Sequence, residues 1–298
     1  MKRMLCFISD MILPNFIPLN EAATKPDVLH AIFTPSEERM KKRLKDLKTV
    51  VKAKFPNLKI EEVEIPDAYD GKAIYESCKT LVEDYPNDDW KLNSTGGTKL
   101  MSSPAIEFFR EAKLEFYYVE TFRNRILSIK PDWEISEIPF NNSISIEEYF
   151  QLHGHIAKPG KSINRHEIHI FNQLQKLNWT VEASVRWRNP DNTSDLAEYD
   201  MIGIHDYQMS VFECKRKNST DKEKVLKDLL KLSQIKYAFG GPFGKIYWIF
   251  NGQAQIGKMN EIRIKEFGIK LISGDDVNQI SNNPQKFGLP PIKKLKNL

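Results

Sequence analysis

The sequence predicts an α/β protein in two parts, a parallel-sheet domain followed by a smaller α/β domain built around a β-hairpin. Three observations carry this. Over residues 1–130, short apolar runs alternate with amphipathic helical stretches. Near residue 130 prolines and asparagines accumulate and the alternation stops. From residue 162 the order becomes helix, strand, hairpin, helix, strand.

Residues 4–8 and 28–33 are nearly continuous apolar runs of strand length. Residues 37–54 carry Met40, Leu44, Leu47 and Val51 at helical spacing, with Ser36 as the N-cap. A strand at 58–65, a helix at 72–84, a short strand at 91–94, a helix at 104–113 and strands at 115–120 and 125–129 follow. Strand and helix in alternation imply a parallel sheet covered on both faces, a Rossmann-like domain over 1–130. Pro131, Pro139, Asn141, Asn142, Ser143, Pro159 and Gly160 mark 131–160 as a linker interrupted by a short helix at 146–152. The second domain, 161–298, begins with a helix at 164–174 whose apolar stripe is Ile168, Phe171 and Leu174. A strand at 179–185, a hairpin of 196–204 and 209–214, a helix at 222–239 and a strand at 245–250 complete it.

Composition narrows the class. At 298 residues, 41% hydrophobic and 28% charged, the chain has the make-up of an ordinary globular protein of two domains. Its three cysteines, Cys6, Cys78 and Cys214, are scattered without C-x-x-C spacing. That argues against a disulfide framework or zinc ribbon and makes a reducing cytoplasm the expected location. The first eight residues imitate a signal peptide, but Asp10 and Pro14 interrupt the apolar run. No stretch approaches the ~20 apolar residues of a membrane span, so no membrane partner is expected. A net charge of +4 is small for this length and decides nothing about nucleic acid.

The hairpin carries the first chemical signal. It reads Glu198-Tyr199-Asp200, twelve residues, then Glu213-Cys214-Lys215. If Ile204 pairs with Met209 across the turn, Asp200 falls opposite Glu213 and Glu198 opposite Lys215. Period-two alternation then projects all four from one face. Directly opposed Cβ atoms lie roughly 4.5–5.5 Å apart, so two carboxylates can grip one divalent ion. Facing charges on a sheet are also common as a solvated ion-paired surface of little energetic weight. Against that, opposed carboxylates repel unless a cation or proton sits between them.

A second signal lies at the ends of the first-domain strands, where open α/β sheets bind ligands. Ser9, Asp10, Met11 and Asn15 follow the first strand; Thr95, Gly96, Gly97, Thr98, Lys99 and Met101 lie between a later strand and its helix. The glycines let backbone N–H groups turn toward an anion at a helix start. Thr95, Thr98 and Lys99 add hydroxyls and a charge suited to phosphate or ribose. A Gly-Gly pair is often only a turn, and the P-loop spacing is absent. Elsewhere, His153-Gly154-His155 lacks a third metal ligand, His166 and His169 read as helix surface, and Arg186-Trp187-Arg188 reads as a sheet-edge loop.

Two families resemble these motifs. Glu-x-Asp, a turn and Glu-x-Lys resemble the core of the PD-(D/E)xK nucleases, the restriction-endonuclease-like α/β fold. That resemblance implies Mg²⁺ or Mn²⁺ on Asp200 and Glu213, with Glu167 on the preceding helix as a third carboxylate. Lys215 would orient water or stabilise the transition state, and Glu198 would complete the catalytic set. Ser-Asp-x-x-x-Pro-Asn and Thr-Gly-Gly-Thr-Lys-x-Met resemble a CRISPR-associated Rossmann-fold (CARF) sensor domain. In that order, over nearly the full chain, the pair is similar to the cyclic-oligoadenylate-activated effector nucleases of type III CRISPR antiviral defence. The resemblance implies a homodimer, cyclic tetra-adenylate as allosteric activator, and single-stranded RNA or DNA, or nicked duplex DNA, as substrate. Two rivals fit the same residues: a restriction- or repair-type DNA endonuclease, and a non-enzymatic nucleotide-sensing regulator with a degenerate nuclease fold.

Overall fold

The computed structural model describes residues 1–35, 38–160, 165–215, 227, 230–232, 244–250, 262 and 264–289. Two compact units emerge, one of residues 1–142 with 151–154, the other of residues 143–150 with 155–298.

The first unit is a seven-stranded sheet. Its strands are β1 (Lys2–Phe7), β2 (Val28–Phe33), β3 (Lys59–Glu64), β4 (Asp89–Asn93), β5 (Glu115–Glu120), β6 (Arg125–Ile129) and β7 (Ile135–Pro139), in the order β3-β2-β1-β4-β5-β6-β7. The first five are parallel; β6 and β7 run antiparallel. Helices α1 (Leu13–Asn20), α2 (Glu38–Lys54), α3 (Gly71–Asp84) and α4 (Lys99–Glu111) connect the parallel strands. Both faces of β1 are buried: Leu5 and Phe7 join Ile74, Cys78, Met101 and Phe109 in one cluster, and Met4 and Cys6 are covered on the other side. Burial on both faces explains the unbroken apolar runs in β1 and β2.

Helix α1 departs from the expectation of a loop after β1. Pro14 sits in its first turn, where no backbone N–H is required. Pro18 lies inside and leaves the Pro14 carbonyl without its helical donor. Asn93 fills the gap, donating from Nδ2 to the Pro14 carbonyl at 3.0 Å. Helix α4 starts at Lys99, ahead of the expected 104; Pro104 is tolerated in its second turn. The proposed cap Ser36 and neighbouring Glu37 lie outside the described residues.

The segment expected as a linker, 131–160, is divided between the sheets. Residues 135–139 form β7, paired with β6 from Arg125↔Pro139 to Ile129↔Ile135. Residues 146–152 form helix α5 (Ile146–Leu152), as expected, and β8 (Ile156–Lys158) edges the second sheet. Of the prolines that suggested a connector, Pro139 sits where a strand tolerates it, closing edge strand β7.

The second unit is a six-stranded sheet in the order β13-β12-β11-β10-β9-β8, with β9 (Thr180–Arg188), β10 (Ala197–His205), β11 (Gln208–Lys215), β12 (Lys245–Phe250) and β13 (Ile269–Ile272). Helix α6 (Arg165–Lys176) covers one face, its Ile170 and Leu174 packing with Val181, Ala183, Met201, Phe212, Tyr247 and Ile249. The expected stripe is shifted: Ile168 is exposed, and Glu167, Ile170 and Leu174 occupy the buried side. Asp206 and Tyr207 both take positive φ between the paired His205 and Gln208, the two-residue turn that matches strand twist. Of the helix expected at 222–239, Lys227 and residues 230–232 are described and helical; the remainder lies outside the described residues.

Candidate functional sites

Strand order reverses between β1 and β4, the neighbours that send their chains to opposite ends of the sheet. Such switch points open a crevice at the carboxyl ends of the strands. Here the loops at that point are residues 8–11 after β1 and 94–98 after β4.

Two buried asparagines hold these loops. Asn15, fully buried at 0% exposure, donates from Nδ2 to the Phe7 carbonyl at 2.8 Å. Its Oδ1 accepts from Asn93 Nδ2 at 3.2 Å. Asn93 also accepts the Thr95 N–H at 3.2 Å, and Thr95 Oγ1 accepts the Val119 N–H at 2.7 Å. Ser94 Oγ donates to the Tyr117 carbonyl at 2.8 Å. The Gly96-Gly97 backbone is thereby laid against β1: a Cβ on Gly96 would stand 2.2 Å from the Phe7 carbonyl oxygen. Gly97 has φ +75° and could not carry a Cβ without meeting Phe7 at 2.8 Å. Thr98 then caps α4, accepting the Met101 N–H at 3.3 Å.

The ten residues singled out here therefore divide by role. Asn15, Thr95, Gly96 and Gly97 shape the loop, and Met101 is buried beneath Gly97. Met11, Thr98 and Lys99 present exposed side chains, and Ser9 is half-buried. Asp10 is exposed and paired with Arg39 of α2 at 2.7 Å. Sequence reasoning missed Asn93 and Arg39. Asn93 ends β4 three residues before Gly96, which was its only signal.

In the second unit the hairpin register places Ile204 opposite Met209 and runs to Met201 opposite Phe212. Next along β10, Asp200 Oδ2 accepts the Cys214 backbone N–H at 2.7 Å. This bond holds the Asp200 carboxylate against β11 beside Glu213, which is buried at 4% exposure. Continued along the two strands, this register puts Glu198 opposite Lys215. Glu198 pairs with Arg186 on β9, opposite in register and 3.0 Å away, and both are exposed. Lys215 ends β11; its side chain, with those of Arg165 and His166, lies outside the described residues. Glu167 is on the buried side of α6. Among the described residues no three His, Cys, Asp or Glu side chains gather so as to hold a metal ion. His169 Nε2 contacts Asn278 Oδ1 at 2.6 Å, consistent with a helix-surface role.

A cation absent from the motif reaches this site. Lys231 Nζ lies 3.7 Å from Glu213 Oε1 and 4.6 Å from the centroid of the Tyr199 ring. Burial pushes the Tyr199 phenol up to about 12, so it stays protonated and donates to the Lys231 carbonyl at 3.3 Å. Two carboxylates are a donor set that suits a hard divalent cation, since Mg²⁺ commonly takes one or two and fills its remaining positions with water and phosphate oxygens. Among the described residues no helix is long and apolar enough to cross a membrane.

Comparison with known proteins follows the same division. Solved structures align over almost the whole chain. Can2 from Sulfobacillus thermosulfidooxidans, in complex with cyclic tetra-adenylate, is 18% identical with a TM-score of 0.77, covering 96% of each chain. Protein VC1899 from Vibrio cholerae is 14% identical with a TM-score of 0.77, covering 96% of this chain and 98% of its own. A type III CRISPR defence DNA nuclease activated by cyclic oligoadenylate is 12% identical with a TM-score of 0.64, covering 97% of this chain and 53% of its own. At these identities the likeness is one of fold. No curated protein matches. The Card1 CARF domain family matches residues 4–149, which span β1 to β7 and the loops that form the crevice. The parallel-sheet unit is a Rossmann-like CARF domain.

Proposed function

We propose that the chain is a cyclic-oligoadenylate-responsive, metal-dependent endonuclease of type III CRISPR defence. It acts in the cytoplasm as a homodimer on single-stranded RNA or DNA. The crevice beyond β1 and β4 receives the activator, with Thr98 and Lys99 on its phosphates or riboses and the α4 amino terminus adding a favourable dipole. A ring of repeated phosphates suits a two-fold pair of identical crevices, each presenting the same loops to half the ligand. Can2 was solved with cyclic tetra-adenylate, which makes that ring the first activator to test.

The observation that carries the nuclease half is the hydrogen bond from the Cys214 amide to the Asp200 carboxylate. It joins the two halves of the acidic motif across the hairpin, where Glu213 is buried and cationic company is close. Asp200 and Glu213 would hold Mg²⁺ or Mn²⁺, which would acidify a water and offset charge on the phosphate. Lys215, next in line on β11, stabilises the charge developing on the phosphate. Glu198 acts through Arg186, keeping that guanidinium beside the site.

The test incubates full-length protein with labelled single-stranded RNA and DNA, Mn²⁺, and cyclic tetra- or hexa-adenylate in separate arms. Cutting that needs both ring and metal, stops with EDTA and is lost in Glu213→Ala supports the reading. Wild-type cutting by Glu213→Ala overturns the site. Cutting of duplex without activator favours a restriction-type enzyme, and ring binding without cutting favours a regulator.

A further inference from the structure

Lys231 is tied down at both ends. Its backbone carbonyl receives the Tyr199 hydroxyl at 3.3 Å, and its ammonium sits 4.6 Å from the Tyr199 ring centroid while reaching Glu213 at 3.7 Å. Lys231 is one-third exposed, whereas the Glu213 side chain is 6% exposed. An exposed ion pair between long side chains contributes little. This pair differs, because its acid is buried and a buried carboxylate requires a positive partner. An aromatic face on the second side of the ammonium restrains it there.

We propose that Lys231 is a second ammonium group of the nuclease site, sharing Glu213 with the divalent cation. The proposal rests on the nuclease reading and adds a residue to it. Two opposite effects follow from one placement. A positive charge beside the metal position repels the metal, so Lys231 weakens metal binding. The same charge attracts the phosphate as negative charge builds on its oxygens, so Lys231 speeds cutting. No proton transfer and no change in Lys231 protonation is involved.

Full-length Lys231→Met keeps the apolar stem over Tyr199 and removes the charge; Lys231→Arg keeps the charge. Mn²⁺ binding is measured by calorimetry without nucleic acid, and kcat and KM with activator at saturating Mn²⁺. Lys231→Met is expected to bind Mn²⁺ about tenfold tighter while kcat falls about a hundredfold and KM stays near wild type. Lys231→Arg is expected to stay close to wild type in both. If Lys231→Met melts early, Lys231→Gln carries the same expectation. Unchanged Mn²⁺ affinity or unchanged kcat in a folded neutral variant, beside a wild type that binds metal and cuts, overturns the role of Lys231 alone. A wild type that takes up no Mn²⁺ overturns it together with the nuclease reading.

Discussion

Asn15→Ala separates shaping the nucleotide crevice from touching the nucleotide. The side chain is fully buried, donates to the Phe7 carbonyl at 2.8 Å and accepts from Asn93 Nδ2 at 3.2 Å. Asn93 keeps the Pro14 carbonyl as a second acceptor, so its loss is one neutral hydrogen bond of about 1 kcal/mol. The Phe7 carbonyl loses its side-chain donor inside the protein, which costs roughly 1–3 kcal/mol. The sum, about 2–4 kcal/mol, lowers Tm by about 5–15 °C for a unit of this size. Asn15→Asp keeps the shape, turns an acceptor toward the carbonyl, and is expected to cost at least as much. The assay pairs thermal unfolding with calorimetric titration of cyclic tetra-adenylate. Lys99→Ala provides the contrast, because its side chain is exposed; it should lose affinity with Tm nearly unchanged. If Asn15→Ala keeps its Tm and loses only affinity, Asn15 touches ligand and the hydrogen-bond argument fails.

Other perturbations follow from the same contacts. Glu213→Ala should abolish cutting and leave cyclic tetra-adenylate affinity intact by calorimetry; lost affinity would refute the division of labour. Gly96→Ala brings a Cβ to 2.2 Å from a backbone oxygen that cannot swing aside. The expected penalty is about 1–3 kcal/mol or more, read as a lower denaturation midpoint and a weakened activator response. His30 is fully buried; burial lowers its pKa below 6.5, with Glu61 opposing the shift and Arg3 reinforcing it. The unfolded chain thus takes up this proton first, so the contribution is fully present above pH 6.5 and is lost as pH falls through the lowered folded value. Denaturant midpoints from pH 7.5 to 5 should decline in wild type and decline less in His30→Gln.

What was legible in the sequence was whatever repeats locally. Apolar runs at 4–8 and 28–33 announced strands because burial on both faces removes any need for polar alternation. The hairpin register was readable because two residues with positive φ, Asp206 and Tyr207, fit between strands whose apolar positions matched. Helix α1 was hidden by Pro14 and Pro18, which signal a break unless a distant donor such as Asn93 satisfies the carbonyl they leave open. Strand β7 was hidden because edge position permits the proline and exposed polar residues that suggest a linker.

The candidate sites obey the same limit, and it explains which of their residues the motifs name. Asp200, Glu213 and Lys215 stand on adjacent strands joined by a short turn, so spacing alone brings their backbones together. Lys231 follows Lys222, Lys224 and Lys227 in the sequence, and no local pattern distinguishes it from them. Only the fold does so, by setting its ammonium between the Tyr199 ring and the buried Glu213 carboxylate. Glu198 shows the converse. Its place in the motif names Lys215 as its neighbour, and the strand on its other side supplies Arg186 at 3.0 Å. A residue in a central strand has two neighbours, and a hairpin motif describes only one of them. Motif acids with a partner on the outer strand are therefore candidates for positioning, whereas an acid buried against a cation from elsewhere in the chain, as Glu213 is, is a candidate for the chemistry.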